Sequence, residues 1–144
     1  KLATGTWVSV GPLRAELLMA FAPYLQDVVI AGLDRDYLAI LMIPDVAACA
    51  AALKLDSSCG YDVLSQNMKL RELLRERLAG HATRHPASST SALRAMLLPS
   101  PPKMDIGEIT DKGSINQRAV LKYRAECVEM LYRDNPPEHV IAIR

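Results

Sequence analysis

The sequence predicts a small α+β domain, in which a mixed sheet of about three core strands plus a short N-terminal strand is flanked by about four helices. Three observations predict this arrangement. Residues 28–31 and 38–43 are apolar runs of strand length, and the turn-forming segment 32–36 separates them. A third apolar stretch, about residues 93–98, follows a connection rich in Pro, Ser and Thr. We expect the first two runs to be neighbouring antiparallel strands and the third to complete the core of the sheet.

The N-terminal part of the chain predicts the short strand and the first two helices. Residues 8–10 alternate in polarity, as a short strand does. Gly11 and Pro12 then begin a helix, because proline is tolerated in the first helical turn. Residues 46–53 are rich in alanine, follow Pro44 and predict a second helix.

Two further helices are predicted towards the C-terminus. Asn67 is placed to cap a helix with a leucine-rich face, and Gly80 lies where a C-terminal glycine is expected. Ser114 and Gln117 have the spacing of a capping box, in which the first and fourth residues bond each other's backbone. This pair predicts the start of the last helix.

The composition is that of an ordinary folded domain and excludes several classes of function. The 144 residues fit a single domain, and their net charge of +1 gives no basic excess for binding nucleic acid. The longest apolar run, residues 38–43, is too short to span a bilayer, and no signal peptide follows Lys1. We therefore expect a cytoplasmic protein without membrane or nucleic-acid partners. The chain opens without methionine, which suggests a piece of a longer protein.

The cysteines and histidines show no metal-ligand spacing, so the sequence predicts no metal site and no catalytic histidine. We expect the cysteines to be reduced and mostly buried, and the histidines to have no clustered partner. These residues are Cys49, Cys59, Cys127, His81, His85 and His139.

The segment 107–118 carries the strongest chemical signal in the chain. Lys112 lies between Asp111 and Gly113, which favour turns, and a capped helix follows directly. A lysine on such a loop can neutralise a phosphate or a carboxylate without competing for space in a core. The alternative interpretation is an ordinary solvated turn lysine.

Two stretches at opposite ends of the chain, residues 1–8 and 107–118, resemble the C-terminal domain of adenylate-forming enzymes. That superfamily includes acyl- and aryl-CoA synthetases, luciferases and the adenylation domains of peptide synthetases. Within it, residues 1–14, 26–32 and 107–118 are most similar to feruloyl-CoA synthase. The resemblance implies that residues 1–144 are a single domain, the mobile C-terminal domain of a larger two-domain enzyme.

Such a domain implies an ATP-dependent aryl- or acyl-CoA synthetase, which is an AMP-forming acid–thiol ligase. A carboxylate attacks the α-phosphate of ATP to give an acyl-adenylate and pyrophosphate, and the thiol of CoA then displaces AMP. The resemblance assigns Lys112 to the first step, and Gly5, Thr6 and Trp7 to the tunnel for the pantetheine of CoA. It also implies that ATP, Mg²⁺ and a small aromatic carboxylate are bound mainly by an N-terminal domain, so the chain alone is expected to be inactive.

One departure from the superfamily pattern concerns the lysine. In the common motif a lysine follows the glycine, whereas here Glu108 follows Gly107. A carboxylate cannot stabilise a phosphate in a poorly solvated site, because like charges repel. A shifted alignment, which resembles the feruloyl-CoA synthase branch, makes Lys112 the candidate and leaves Lys103 as its rival.

Two alternatives stay open on the sequence. A stand-alone ligand-binding or interaction module could keep the scaffold without the catalysis. An adenylating enzyme could also pass its acyl group to a carrier protein instead of CoA. The carboxylic acid is open as well, because its pocket belongs to the N-terminal domain.

Overall fold

The structure, a computed structural model, describes residues 1–56 and 58–144. Within these residues a four-stranded sheet has the order β1-β2-β3-β4. The elements along the chain are α1 (Val10–Phe21), β1 (Leu25–Ala31), β2 (Leu38–Pro44), α2 (Val46–Ala52), α3 (Tyr61–Ser65), α4 (Met68–Arg84), β3 (Ala92–Leu97), α5 (Gln117–Tyr123), α6 (Ala125–Leu131) and β4 (Ile141–Ala142). None of the helices described has the length and hydropathy that a bilayer span requires.

The sheet is mixed, as the sequence predicts. β1 and β2 are antiparallel neighbours, with Ile30 opposite Ile40. β3 runs parallel to β2, with Met96 opposite Leu41, and β4 is antiparallel to β3. A parallel neighbour requires a crossover connection, and the segment that contains α2, α3 and α4 supplies it. The α+β fold class is therefore confirmed.

The sheet separates two apolar cores, one on each face. Val28 and Ile30 belong to the core that includes α1 and α4, whereas Val29 belongs to the core that includes α5 and α6. β2 alternates between the cores in the same way, and all of its residues are buried. Burial on both faces explains why 28–31 and 38–43 are continuous apolar runs and not alternating ones.

The short fourth strand lies at the C-terminus and not at the N-terminus. The strand predicted at residues 8–10 is absent, because α1 already begins within that segment. The outer edge of β1 is also occupied by a side chain. Gln117 accepts a hydrogen bond from the Ile30 N–H (3.1 Å) and donates one to the Val28 carbonyl (2.9 Å). An N-terminal strand on that edge would need the same backbone groups.

Helix α4 begins where the sequence predicts but ends later. The side chain of Asn67 caps it by accepting a hydrogen bond from the Leu70 N–H (2.9 Å). The predicted end at Gly80 is wrong, because the helix continues for another turn. His81 and Ala82 extend its buried face beyond the glycine, so burial outweighs the weak helix propensity of one glycine.

The last predicted helix is in fact two short helices, α5 and α6, which meet at Arg124. The predicted capping box is wrong. Asn116 caps α5 and accepts a hydrogen bond from the Ala119 N–H (3.1 Å), while the amide of Gln117 is engaged with β1. With this break and the short α3, the described part of the chain has six helices against about four predicted.

Replacing Gln117 by alanine is expected to lower the free energy of unfolding by about 1–3 kcal/mol, because it leaves the Ile30 N–H and the Val28 carbonyl without their partner. Urea unfolding measures the difference. Gln66→Ala is the matched control, since Gln66 is exposed, and it should change the value by less than about 0.5 kcal/mol. Equal effects of the two variants would contradict the role of Gln117 at the sheet edge.

Candidate functional site

The predicted lysine loop is a short hairpin, residues 109–115. The backbone of Ile109 pairs with that of Ile115. The hydroxyl groups of Thr110 and Ser114 lie 2.7 Å apart and hydrogen-bond to each other across the hairpin. These contacts hold the two arms of the hairpin together.

Lys112 is the middle residue of the hairpin's three-residue tip. The Gly113 N–H donates a hydrogen bond to the Thr110 carbonyl (2.9 Å), and Gly113 has a φ of +81°. A turn followed by a left-handed residue is a common three-residue hairpin loop, and glycine adopts that conformation without strain. The lysine is therefore carried by a defined turn.

The two candidate lysines differ in their place in the chain and not in their exposure. Lys112 is exposed, and within residues 1–56 and 58–144 it forms no ion pair. Lys103 is exposed too, but Glu108 accepts a hydrogen bond from its backbone N–H (2.9 Å). That carboxylate is paired with Arg124, so it does not distinguish the two lysines by charge. They differ in position, because Lys112 lies at the tip of the hairpin whereas Lys103 precedes the hairpin.

Glu108 is fully buried in an ion pair. Its carboxylate oxygens accept hydrogen bonds from Nε of Arg124 (2.9 Å) and from a terminal nitrogen of the same guanidinium (3.0 Å). Arg124 also donates to the carbonyls of Ser100 (3.1 Å) and Pro101 (3.0 Å). The pair ties the proline-rich segment and the base of the hairpin to the junction of α5 and α6. Glu108 therefore has a structural role in this chain.

The pair is charged at neutral pH. Burial by itself raises the pKa of Glu108, but the hydrogen bonds from Arg124 and from the Lys103 N–H outweigh burial and lower the pKa below its ordinary value. The hydrogen bond to Glu108 raises the pKa of Arg124. Charged hydrogen bonds of this bidentate kind are stronger than neutral ones and fix geometry.

Gly5 lies in a tight turn near the N-terminus. The Gly5 N–H donates to the Leu2 carbonyl (2.9 Å), and the Leu2 N–H donates to the Thr6 carbonyl (2.9 Å). Gly5 has a φ of +90°, which strains a residue that carries a side chain. The turn itself requires glycine, so a bulky substitution at Gly5 would disturb the backbone whether or not a ligand approaches.

Trp7 follows this turn and is 77% exposed, so it is not a core residue of this chain. The ammonium group of Lys1 lies 5.3 Å from the centre of a Trp7 ring. The Thr6 hydroxyl hydrogen-bonds to that of Thr4 (3.0 Å). An exposed indole of this kind is suited to contact with a ligand or with another domain.

The N-terminal segment and the helices after the hairpin line one cavity of about 330 Å³. Lys1 and Val8 contribute to it from the N-terminal segment, and Leu121 contributes from α5. Neither Lys112 nor Gly5 lines it, and in the described part of the chain no hydrogen bond or ion pair joins these two residues. The predicted site residues therefore lie on two separate surface turns.

One cluster of ligand-type side chains is not predicted from the sequence. His81 on α4, His85 just after it and Glu16 on α1 lie with their ligand atoms within 4.8 Å of one another. The expectation that these histidines have no clustered partner is wrong. The i, i+4 spacing of the histidines is a signal that could have found them, but the contribution of α1 is visible only in the tertiary structure.

No family model matches the chain, and no curated protein matches it. Similar solved structures are adenylation domains of carboxylic acid reductases. One is the A-PCP didomain of the enzyme from Segniliparus rugosus in complex with AMP. Its TM-score is 0.63 at 20% identity, and the match covers 92% of this chain and 17% of the didomain chain. Another is the A domain of that enzyme with AMP and a co-purified carboxylic acid, with a TM-score of 0.62 at 19% identity and a match that covers 92% of this chain and 19% of the A-domain chain. The adenylation domain of a carboxylate reductase from Mycobacterium chelonae has a TM-score of 0.61 at 20% identity, and the match covers 93% of this chain and 19% of that domain's chain.

These similarities show that the chain has a fold found in adenylate-forming enzymes. They cover nearly all of this chain, whereas the chain spans less than a fifth of the length of each of those structures. The shared fold is therefore one part of each of those longer structures.

Proposed function

We propose that this chain is the mobile C-terminal domain of an ATP-dependent aryl- or acyl-CoA synthetase of the feruloyl-CoA synthase type. The observation that carries the proposal is Lys112, an exposed cation held at the tip of a hairpin with no ion-pair partner in the described residues. The fold shared with adenylation domains, two of which were solved with AMP, supports the same class of reaction. An N-terminal domain would carry the ATP pocket, the Mg²⁺ ligands and the pocket for the aromatic acid.

Lys112 would act where the carboxylate meets the α-phosphate of ATP. Both groups are anions, so their approach is opposed by repulsion, which an ammonium group between them relieves. A lysine on a surface hairpin can enter a pocket of another domain without disturbing the core of its own. The hairpin is also rooted on α5 and, through the ion pair of Glu108 and Arg124, on the junction with α6.

The reaction class is tested by ATP–pyrophosphate exchange in the full-length protein that carries this chain. We expect exchange that depends on an added aromatic carboxylate. A failure to exchange with any aromatic or aliphatic acid would favour a ligand-binding module that keeps the scaffold without the catalysis.

Transfer to a carrier protein instead of CoA is the second candidate, because one of the similar structures is an A-PCP didomain. Supplying the adenylate-forming protein with CoA and with a phosphopantetheine-loaded carrier protein separates the two candidates. Thioester formation with CoA alone is expected from the first proposal, and thioester formation with the carrier alone would replace it.

The proposed tunnel residues predict an effect on the second half-reaction. Trp7→Ala is expected to slow thioester formation by about tenfold, the effect of losing ~1.4 kcal/mol of contact with pantetheine, while pyrophosphate exchange is unchanged. Thr6→Ala should show a smaller effect of the same kind. Val63→Ala is the control, because Val63 is also an exposed apolar residue but lies on α3 and does not line the cavity beside the N-terminal segment. Equal losses in the two half-reactions would count against a tunnel at Trp7.

A further inference from the structure

The contact between α1 and α4 holds three side chains that can bind a metal ion. His81 and His85 are one turn apart at the end of α4, and their stacked rings have centroids 4.3 Å apart. Glu16 on α1 faces them, with a carboxylate oxygen 3.9 Å from Nε2 of His81. All three line a surface cavity of about 260 Å³, which has room for an ion and its water.

His81 is unusual because it is buried without a partner. Its residue is 1% exposed, and neither of its ring nitrogens has a hydrogen-bond partner among the described residues. Buried polar atoms are nearly always paired, and an unpaired one costs about 1–3 kcal/mol. A ligand bound in the adjoining cavity could therefore supply the partner that the His81 ring lacks.

We propose that His81, His85 and Glu16 bind a Zn²⁺ ion. Two imidazoles and one carboxylate are a donor set that zinc accepts. His81 lies in the last turn of α4 and His85 is the residue that ends the helix, so the two rings lie beside each other. Three protein ligands leave a fourth position for water. The ion would satisfy one nitrogen of His81 and would cross-link α1 to α4.

The positions of the ligand atoms indicate which side chains move when the ion binds. A carboxylate oxygen of Glu16 lies 3.9 Å from Nε2 of His81, whereas two atoms bound to one zinc ion at about 2.0–2.1 Å lie roughly 3.3 Å apart. Glu16 is exposed and His85 is partly exposed, so both can rotate towards His81, which is held by burial. Arg84 also lines the cavity, and its charge opposes a cation. Arg84→Ala is therefore expected to tighten zinc binding.

Titration calorimetry of the metal-free full chain with Zn²⁺ alone tests the proposal. We expect one zinc per chain and a rise in Tm on binding. His85→Gln and Glu16→Gln should each weaken zinc binding by at least about tenfold. A residue that only hydrogen-bonds to a metal ligand already has an effect of that size, and a direct ligand should have no smaller one. Neither residue is fully buried, so these variants should keep the fold that His81→Gln could disturb. His139→Gln is the matched control, because His139 is exposed and lines a different cavity.

Three results would overturn the proposal. The first is an absence of zinc binding, in which case His81 and Glu16 form at most a metal-free ion pair. The second is binding that the His85 and Glu16 variants leave unchanged. The third is binding that disappears when the thiols are alkylated, because the zinc would then belong to cysteines.

Discussion

Replacement of Lys112 by alanine in the full-length protein is expected to slow adenylate formation by about 100-fold and to spare thioester formation from pre-made adenylate. Removing one group that stabilises charge in a transition state costs on the order of 3 kcal/mol. The loss should fall on the first half-reaction, because only there does an anion attack an anion. Pyrophosphate exchange measures the first step, and thioester formation from added adenylate measures the second.

Two other lysines serve as controls for this experiment. Lys103 is the rival candidate, and Lys69 is an exposed lysine on α4. Both alanine variants should keep the exchange rate within about twofold, as ordinary surface substitutions do. Loss of exchange in Lys103→Ala with normal exchange in Lys112→Ala would move the role to Lys103. Equal loss in both half-reactions for Lys112→Ala would contradict the proposed role.

The second large effect is expected on stability, from Glu108→Gln. The substitution leaves the guanidinium of Arg124, whose side chain is only 10% exposed, without its counter-charge. Breaking a buried ion pair from one side costs about 3–5 kcal/mol, and urea unfolding measures this loss. Glu126→Gln on α6 is the matched control, because Glu126 is exposed, and it should change the free energy of unfolding by less than about 0.5 kcal/mol. Similar small effects of both variants would show that the pair behaves like a surface ion pair.

The same carboxylate predicts sensitivity to acid. Burial opposes the ionisation of Glu108, but the hydrogen bonds from Arg124 and the Lys103 N–H outweigh it and lower its pKa. The unfolded chain, in which the pKa of Glu108 has its ordinary value of 4.5, then binds the proton more readily than the folded chain. The contribution of Glu108 to the free energy of unfolding is therefore complete at pH values above 4.5 and is lost as the pH falls through the lower pKa of the folded state. Between these values the free energy of unfolding should fall more steeply for the wild type than for Glu108→Gln, which has no carboxyl to titrate at this position. If the free energies of unfolding of the wild type and of Glu108→Gln had the same pH dependence, Glu108 would not be the source of the acid sensitivity.

The strands and the fold class are predictable from the sequence because burial on both faces leaves continuous apolar runs at 28–31 and 38–43. The cap at Asn67 is predictable because it depends only on residues within one helical turn. The hairpin that carries Lys112 depends on local turn chemistry at Gly113, which the sequence also contains. The roles of Lys112, Gly5, Thr6 and Trp7 stay predictions.

The predictable features are therefore local: apolar runs, one cap, and a turn that presents a lysine. Features that depend on partners distant in the chain appear only in the folded molecule. Gln117 bonds β1 instead of closing a capping box, Glu108 pairs with Arg124, and His81 meets Glu16 of another helix. The physical reason is that a polar side chain takes whichever partner the fold brings within hydrogen-bond distance, and spacing along the chain does not record that distance.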